Sequence, residues 1–175
     1  MLNLCVIFTI LYIIAAWKWG DWKHWRDYYP TILFLVIGDL LYQFMLHDYS
    51  MWEFVPVGLQ QFNITHTHVA IMEMVFKYPS TILLYLGNFP NSRFKRIAYI
   101  GLWVIIYSTE EWFKMMQGSM IHVNGWSMHW SILFNVVMFT LLAVHHRRPL
   151  LAWVFSGLFI YFLFKAHDVP ISIIK

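Results

Sequence analysis

Apolar residues fall in six long blocks along the chain, each closed by a short polar break. The blocks lie at about residues 2–18, 30–47, 67–88, 96–114, 128–145 and 149–166. One α-helix across a hydrocarbon core of roughly 30 Å takes about 20 residues. The shorter blocks gain length from flanking Trp, Tyr, Lys and Arg, residues that anchor at membrane–water interfaces. The pattern predicts an all-α fold, a polytopic transmembrane helical bundle of about six spans. No internal repeat, linker or low-complexity tract divides it, so residues 1–175 read as a single domain. Pro79 falls inside the third span and has no N–H for the Val75 carbonyl, so that helix is expected to bend. Pro30 and Pro149 are expected at helix starts, where a missing N–H costs little.

Charge sets an orientation. The first, third and fifth connections carry Lys18, Lys23 and Arg26; Arg93, Lys95 and Arg96; and Arg147 and Arg148. The second connection, residues 48–66, carries none. Lys114, Lys165 and Lys175 belong to the opposite side, and Lys77 lies within a span. Eight bases against three put the odd connections in the cytoplasm and both termini outside, by the positive-inside rule. The first block, MLNLCVIFTILYIIAAW, is followed by bases and not preceded by them. That is the order of a retained first helix and not of a cleaved signal peptide. The bulky Leu4 before Cys5, with no basic region ahead of it, argues against a lipoprotein cysteine. Cys5 is the single cysteine, which excludes an intrachain disulfide and a thiolate metal site built by this chain alone.

Composition agrees with the pattern. The chain is 60% hydrophobic and 12% charged, where soluble domains are about a quarter charged. Mean hydropathy is +0.57. A soluble fold of this size could not bury so much apolar surface, so the lipid bilayer is the expected solvent for much of it. A net charge of +3 and a pI near 9.0 would suit nucleic acid. The bases are confined to short loops between apolar spans, so no nucleic acid is expected as a partner.

The segment WKWGDWKHWRDYYP, residues 17–30, has four tryptophans in nine residues. Interleaved bases and aromatics could stack on a nucleic acid or mark where a chain leaves a membrane. The charge count places it in the first cytoplasmic connection. If helical, Trp22, Trp25 and Tyr29 share a face that can lie on the bilayer, while Lys23 and Arg26 meet anionic headgroups. Trp17, Trp19, Trp22, Trp25, Lys23 and Arg26 are therefore expected to form a membrane-interface anchor.

Ionisable residues within spans raise a functional question. Asp39 lies mid-way along span two, and Glu73 and Lys77 share one face of span three. At about 1.5 Å per residue, Asp39 and Lys77 reach similar depths, so they are expected to pair, with Glu73 as a second partner. Three readings fit: a structural ion pair joining two helices, a step in a proton or ion relay, or exposure to an aqueous cavity.

Six of the nine histidines gather toward the outer face, with His47, His66, His68, His122, His129 and His167 there. Glu110 and Glu111 approach the same face. Imidazole and carboxylate bind zinc, iron or copper, and they also relay protons near neutral pH. His66, His68, Glu110, Glu111 and His129 are the candidate metal ligands, with a divalent metal as the cofactor they would take. Haem is disfavoured: His68 and His129, the best-matched axial pair, both lie close to the outer boundary. Against a metal stands the plain reading that each histidine is a wetted helix end. No HExxH, CxxC, GxSxG or phosphate-binding glycine motif occurs.

W-K-x-G-x-W-x-x-W-x-x-Y-Y-P at 17–30 leads into T-I-L-F-x-x-x-G-D-L-L-Y at 31–42, with Glu110-Glu111-Trp112 and Gly125-Trp126 to Trp130 further on. Across most of its length the chain resembles a family of small, uncharacterised polytopic membrane proteins of spore-forming Firmicutes, of the Bacillus and Clostridium type. The resemblance implies a bacterial cytoplasmic membrane and supplies no activity or catalytic residue. Three functions remain in play: binding or passing a metal ion, proton or small solute through an outward-facing His/Glu pocket; an accessory role through a protein partner or a homo-oligomer; and metal-dependent hydrolysis within the membrane, with Ser119 or Ser127 near the outer histidines. The first two are not enzymatic, and no catalytic residue is assigned.

Overall fold

The computed structural model describes residues 3–170 and Ser172. Residue 2, at the head of the first expected span, and Lys175, one of the outer charges, lie outside the described residues. Six helices follow in order: α1 Leu4–Trp19, α2 Trp25–Met45, α3 His66–Gly87, α4 Arg93–Met116, α5 Met128–His145 and α6 Pro149–Ala166. The protein is mainly helical, as the apolar blocks predict. By length and composition, Trp22–Met45, α3, α5 and α6 can each cross a membrane. The other two differ from that group for separate reasons. α1 is apolar but has 16 residues. α4 has 24 residues, and charge at both ends lowers its hydropathy.

The second and fourth connections add something that the helical pattern does not predict. Strands β1 Trp52–Phe54 and β2 Met120–His122 pair antiparallel, with Trp52 opposite His122 and Phe54 opposite Met120. These short strands draw on residues with high β-propensity, Trp, Phe and Ile. They tie the two connections together at one end of the bundle. The start of α1 is held at this end too, because Asn3 Nδ2 donates to the carbonyls of Val55 and Val57, each at 3.3 Å. Asn3 also caps α1, accepting from the Cys5 N–H at 2.9 Å. Beyond α6, the His167 carbonyl accepts from Tyr49 Oη at 3.3 Å.

The odd connections share the opposite end. The Asp21 N–H donates to Leu83 O at 3.4 Å, and Asn88 Nδ2 to Trp19 O at 3.3 Å. Thr31 and His145 hydrogen-bond at 3.0 Å. Gly87 is required where the first connection crosses α3: a Cβ there would fall 2.6 Å from Asp21 Cβ. Asp21 accepts from Tyr28 Oη at 2.8 Å and lies 2.8 Å from His24 Nδ1. These two partners, the tyrosine hydroxyl first, hold its carboxyl below the usual carboxylate range. The neighbouring tryptophans are exposed, Trp17 at 79% and Trp22 at 52%. Lys18 sits over the Trp19 ring at 4.8 Å, and Arg26 over the Trp25 ring at 5.7 Å. The expected anchor residues thus lie together on the surface of this end.

Two prolines depart from the sequence pattern in informative ways. α2 begins at Trp25, so Pro30 lies inside the helix and not at its start. Asp27 in the first turn suits the positive end of the helix dipole, which offsets the one bond that Pro30 cannot give. In α3, the expected disturbance before Pro79 takes a defined form. Residues Glu73–Lys77 make a π turn, closed by the Tyr78 N–H to Glu73 O. Ser80 Oγ then satisfies the Phe76 carbonyl at 2.7 Å.

Among the described residues the core has three clusters of buried side chains. Tyr85 and Phe139, both wholly buried, centre a cluster with Trp103, Tyr107, Leu83 and Leu142 toward the end holding the odd connections. Tyr85 Oη donates to Phe139 O at 2.8 Å, which satisfies the phenol in an apolar surrounding. The α3 span is 67% buried, while that of α6 is 11% buried. Most of α6 is therefore exposed outside the face that carries Ala152 and Leu163, as an apolar helix can be when lipid is the solvent.

Candidate functional site

Two copies of one short pattern build the centre of the molecule. Glu73-Met-Val-Phe-Lys77 lies on α3, and Glu110-Glu-Trp-Phe-Lys114 on α4. In each, Glu and Lys stand four apart and share a helix face. α3 starts at the ribbon end and α4 finishes there, so the two patterns meet in opposite directions. Glu73 then faces Lys114, and Lys77 faces Glu110. Lys77 Nζ is 2.6 Å from Glu110 and 3.3 Å from Glu73. Lys114 Nζ is 2.8 Å from Glu110 and bonds Glu73 as well. All four residues are at most 4% exposed.

This closed square of alternating charge makes burial tolerable, since each charge has opposite partners on two sides. Aromatic faces complete the enclosure. Lys77 Nζ lies 4.6 Å from the Tyr107 ring and 5.4 Å from the Tyr12 ring. Lys114 Nζ lies 5.3 Å from the Phe54 ring, which the ribbon supplies.

A cavity of about 100 Å³ adjoins the square. Its wall includes all four charged residues together with Glu111, Ser131 and Asn135. Trp52, Phe54 and Trp126 come from the connections at the ribbon end. Glu111 accepts from Ser131 Oγ and is 2.7 Å from His122 Nε2. Trp126 Nε1 donates to Ser131 Oγ at 2.8 Å. The wall thus holds three carboxylates against two ammonium groups. Glu110 Oε2 and the Tyr12 hydroxyl are both buried, and the phenol stands beside the carboxylate as its donor.

The candidate metal ligands do not converge. His66 uses both ring nitrogens: Nδ1 accepts from the Phe54 N–H at 2.8 Å, and Nε2 pairs with Gln43 Oε1 at 2.9 Å. That arrangement assigns the Nε2–H tautomer. His68 turns back to cap α3, with Nδ1 accepting from the Thr65 N–H at 3.2 Å. His129 is exposed on α5. Glu110 belongs to the charge square, and Glu111 to His122 and Ser131. Among the described residues, no three His, Cys, Asp or Glu side chains stand where one metal ion could be held.

The expected pairing of Asp39 with Lys77 is also corrected. Asp39 accepts from Tyr78 Oη at 2.6 Å and from Gln43 Nε2 at 3.4 Å. Tyr78 sits next to Lys77 in sequence and takes the carboxylate first, while Glu110 supplies the anion that Lys77 needs. Glu73 remains a partner of Lys77, as expected. Lys114 is the residue that the sequence reading placed wrongly, as an outer-side charge. Its signal was present in the repeat of Glu-x-x-x-Lys, which marks a second inward-facing pair.

A larger cleft of about 320 Å³ lies behind Tyr78, between α2, α5 and α6. Asp39 is the one carboxylate among its lining residues, and the rest of its wall is mainly apolar. Trp52, Tyr78, Trp126, Phe134 and Met138 line both the cleft and the charged cavity, and so form the partition between them. No family model, no curated protein and no solved structure matches this chain.

Proposed function

We propose that this is a multi-pass protein of a bacterial cytoplasmic membrane that binds a small hydrogen-bond-donating group in the cavity beside the charge square. In this reading all six helices cross the bilayer, both termini face outward and the ribbon caps the outer end. The grouping of odd connections at one end, rich in Lys and Arg, supports the orientation. α1 and α4 complete the bundle, with the polar side of α4 turned inward onto α3. The resemblance to small polytopic proteins of Bacillus and Clostridium type fits such a membrane.

One observation carries the binding role. The cavity wall has three carboxylates, Glu73, Glu110 and Glu111, against the two ammonium groups of Lys77 and Lys114. The chemistry that matches this wall is an ammonium or hydroxyl donor of few atoms. A divalent metal fits less well, because the two lysines already neutralise Glu73 and Glu110.

Thermal unfolding in lipid nanodiscs tests the reading. Butylamine hydrochloride is expected to raise Tm by mass action, while equal sodium chloride or sodium acetate does not. Glu111→Gln is expected to weaken that shift. Equal shifts from all three salts would remove the binding role. Single cysteines placed in a Cys5→Ser background test the orientation. Residue 23 should be blocked from membrane-impermeant thiol reagent in intact cells, and residue 124 should react. The reverse pattern would overturn it.

A further inference from the structure

We infer that the ligand is an amphiphile: its polar head occupies the charged cavity, and its hydrocarbon chain lies in the cleft between α2, α5 and α6. This rests on the proposed binding role and names the class of molecule that fills it.

The two cavities differ in chemistry and adjoin through a shared wall. The cavity by the charge square, about 100 Å³, has room for a head of few atoms. The cleft, about 320 Å³, is at the small end of ligand sites and is walled almost wholly by carbon. Its one carboxylate, Asp39, is bonded to Tyr78, which stands in the partition. The partition is made of flat aromatic rings and the flexible Met138. Tyr78 and Trp126 have their polar atoms already paired, with Asp39 and Ser131, so a methylene chain would cross at Met138, which is unbranched and repacks readily.

The mouth of the cleft faces the membrane interior. Gly38 of α2 and Gly157 of α6 line it, and both are exposed near the middle of their helices. The ends are closed. Phe34 meets Trp153 at 4.7 Å toward the odd connections, and Leu46, Met51 and Leu163 pack together below the ribbon. An opening at mid-helix between two exposed apolar helices admits a chain from hydrocarbon and not a solute from water. Leu41 and Trp153, both on the rim, are themselves part-exposed.

The glycines matter for their size. A Cβ added to either Gly38 or Gly157 meets nothing within 4 Å. Helix packing therefore does not require them, whereas Gly87 shows what a packing requirement looks like, at 2.6 Å. Open space at two facing rims is space left for an occupant.

The test uses a photoreactive hexadecylamine, with a diazirine near the end of its chain, in nanodiscs holding the full-length protein. Crosslinks mapped by mass spectrometry are expected at cleft residues such as Leu141, Ile160 and Val137. Gly38→Leu and Gly157→Leu should each lower that labelling by roughly tenfold or more, since a chain beside the added side chain overpacks the cleft, at a cost of about 1–3 kcal/mol. Both variants should keep the butylamine shift in Tm, because they leave the charged cavity unchanged. Glu111→Gln should weaken hexadecylamine and butylamine alike. Labelling spread over exposed positions such as Ile97, Leu150 and Val154, and insensitive to both leucines, would overturn the inference. With the butylamine shift intact, only the amphiphile is then lost; with that shift also absent, the binding role falls with it. Cleft labelling that ignores Glu111→Gln while butylamine binding responds would overturn the placement of the head.

Discussion

The side of the bundle built by α1, α3 and α4 and the side built by α2, α5 and α6 solve opposite problems. The first buries four charges between two helices and encloses them with Tyr12, Tyr107 and Phe54. The second buries neutral polar groups, Thr31, Ser131, Asn135 and His145, but no ion pair, and leaves a cleft of about 320 Å³. α3 is 67% buried and α6 only 11%. In lipid, apolar side chains gain little by leaving the solvent for each other, so apolar helices have weak reason to close on one another. Charges in the same solvent have a strong reason to find partners. Ion pairing fixes one side, and without it the other side keeps an open cleft.

The sharpest way to break this contrast is to unbalance the square. Glu73→Ala leaves Lys77 and Lys114 sharing Glu110 alone, and is expected to destabilise by about 3–5 kcal/mol, the usual cost of removing one member of a buried ion pair. Unfolding by SDS titration in mixed micelles measures it. A loss under about 1 kcal/mol would mean that the square does not hold α3 to α4.

Tyr78→Phe acts on the partition between the two sides. It removes the hydroxyl that bonds Asp39 at 2.6 Å. The expected loss is about 1.5–3 kcal/mol, typical of a hydrogen bond to a charged group. Combined with Glu73→Ala, the two effects should add if Asp39 is independent of the square, and a double-mutant cycle reads the difference.

On the open side the sign reverses. Gly157→Leu removes a flexible residue from the middle of α6 with no steric conflict, and should leave stability unchanged or raise it by up to about 1 kcal/mol. A loss as large as that of Glu73→Ala would show that the cleft is packed and not open.

The smallest effect lies at the end with the exposed tryptophans. Asp21 is held below the usual carboxylate range by Tyr28 and His24. A carboxyl lowered on folding stabilises the fold above its unfolded value near pH 4, and that contribution fades as pH falls through the folded value. Asp21→Asn should therefore lower Tm slightly at pH 6, with the gap to wild type closing as the pH drops below 4. A gap that widens on acidification would reverse the assignment.

Much of the bundle was legible because apolar blocks and polar breaks report directly on which residues leave water. The helix spans at 67–88, 128–145 and 149–166 fall within a residue or so of α3, α5 and α6. The start of α2 was not legible, since Pro30 looked like a beginning and the helix opens at Trp25. The site was half legible. Glu73 with Lys77 followed from spacing alone, because four residues apart is one face of a helix wherever the helix goes. Glu110 was singled out for a different role, as a metal ligand with His68 and His129, because a sequence shows depth and not direction. His66 and His68 are two positions apart, and they turn to different partners, Gln43 and Thr65.

By itself, then, the sequence determined which segments are helical, which connections carry most of the positive charge and that Asp39, Glu73 and Lys77 lie within helices. Those are properties of single segments, set by local transfer free energy and by the period of the helix. Only the tertiary structure decided who meets whom: Lys77 with Glu110 and not Asp39, Lys114 inward and not in a loop, β1 with β2 across 65 residues of chain. Those pairings depend on the rotation of each helix about its axis and on the antiparallel meeting of two Glu-x-x-x-Lys faces. Both are fixed by contacts between distant segments, which no local pattern encodes.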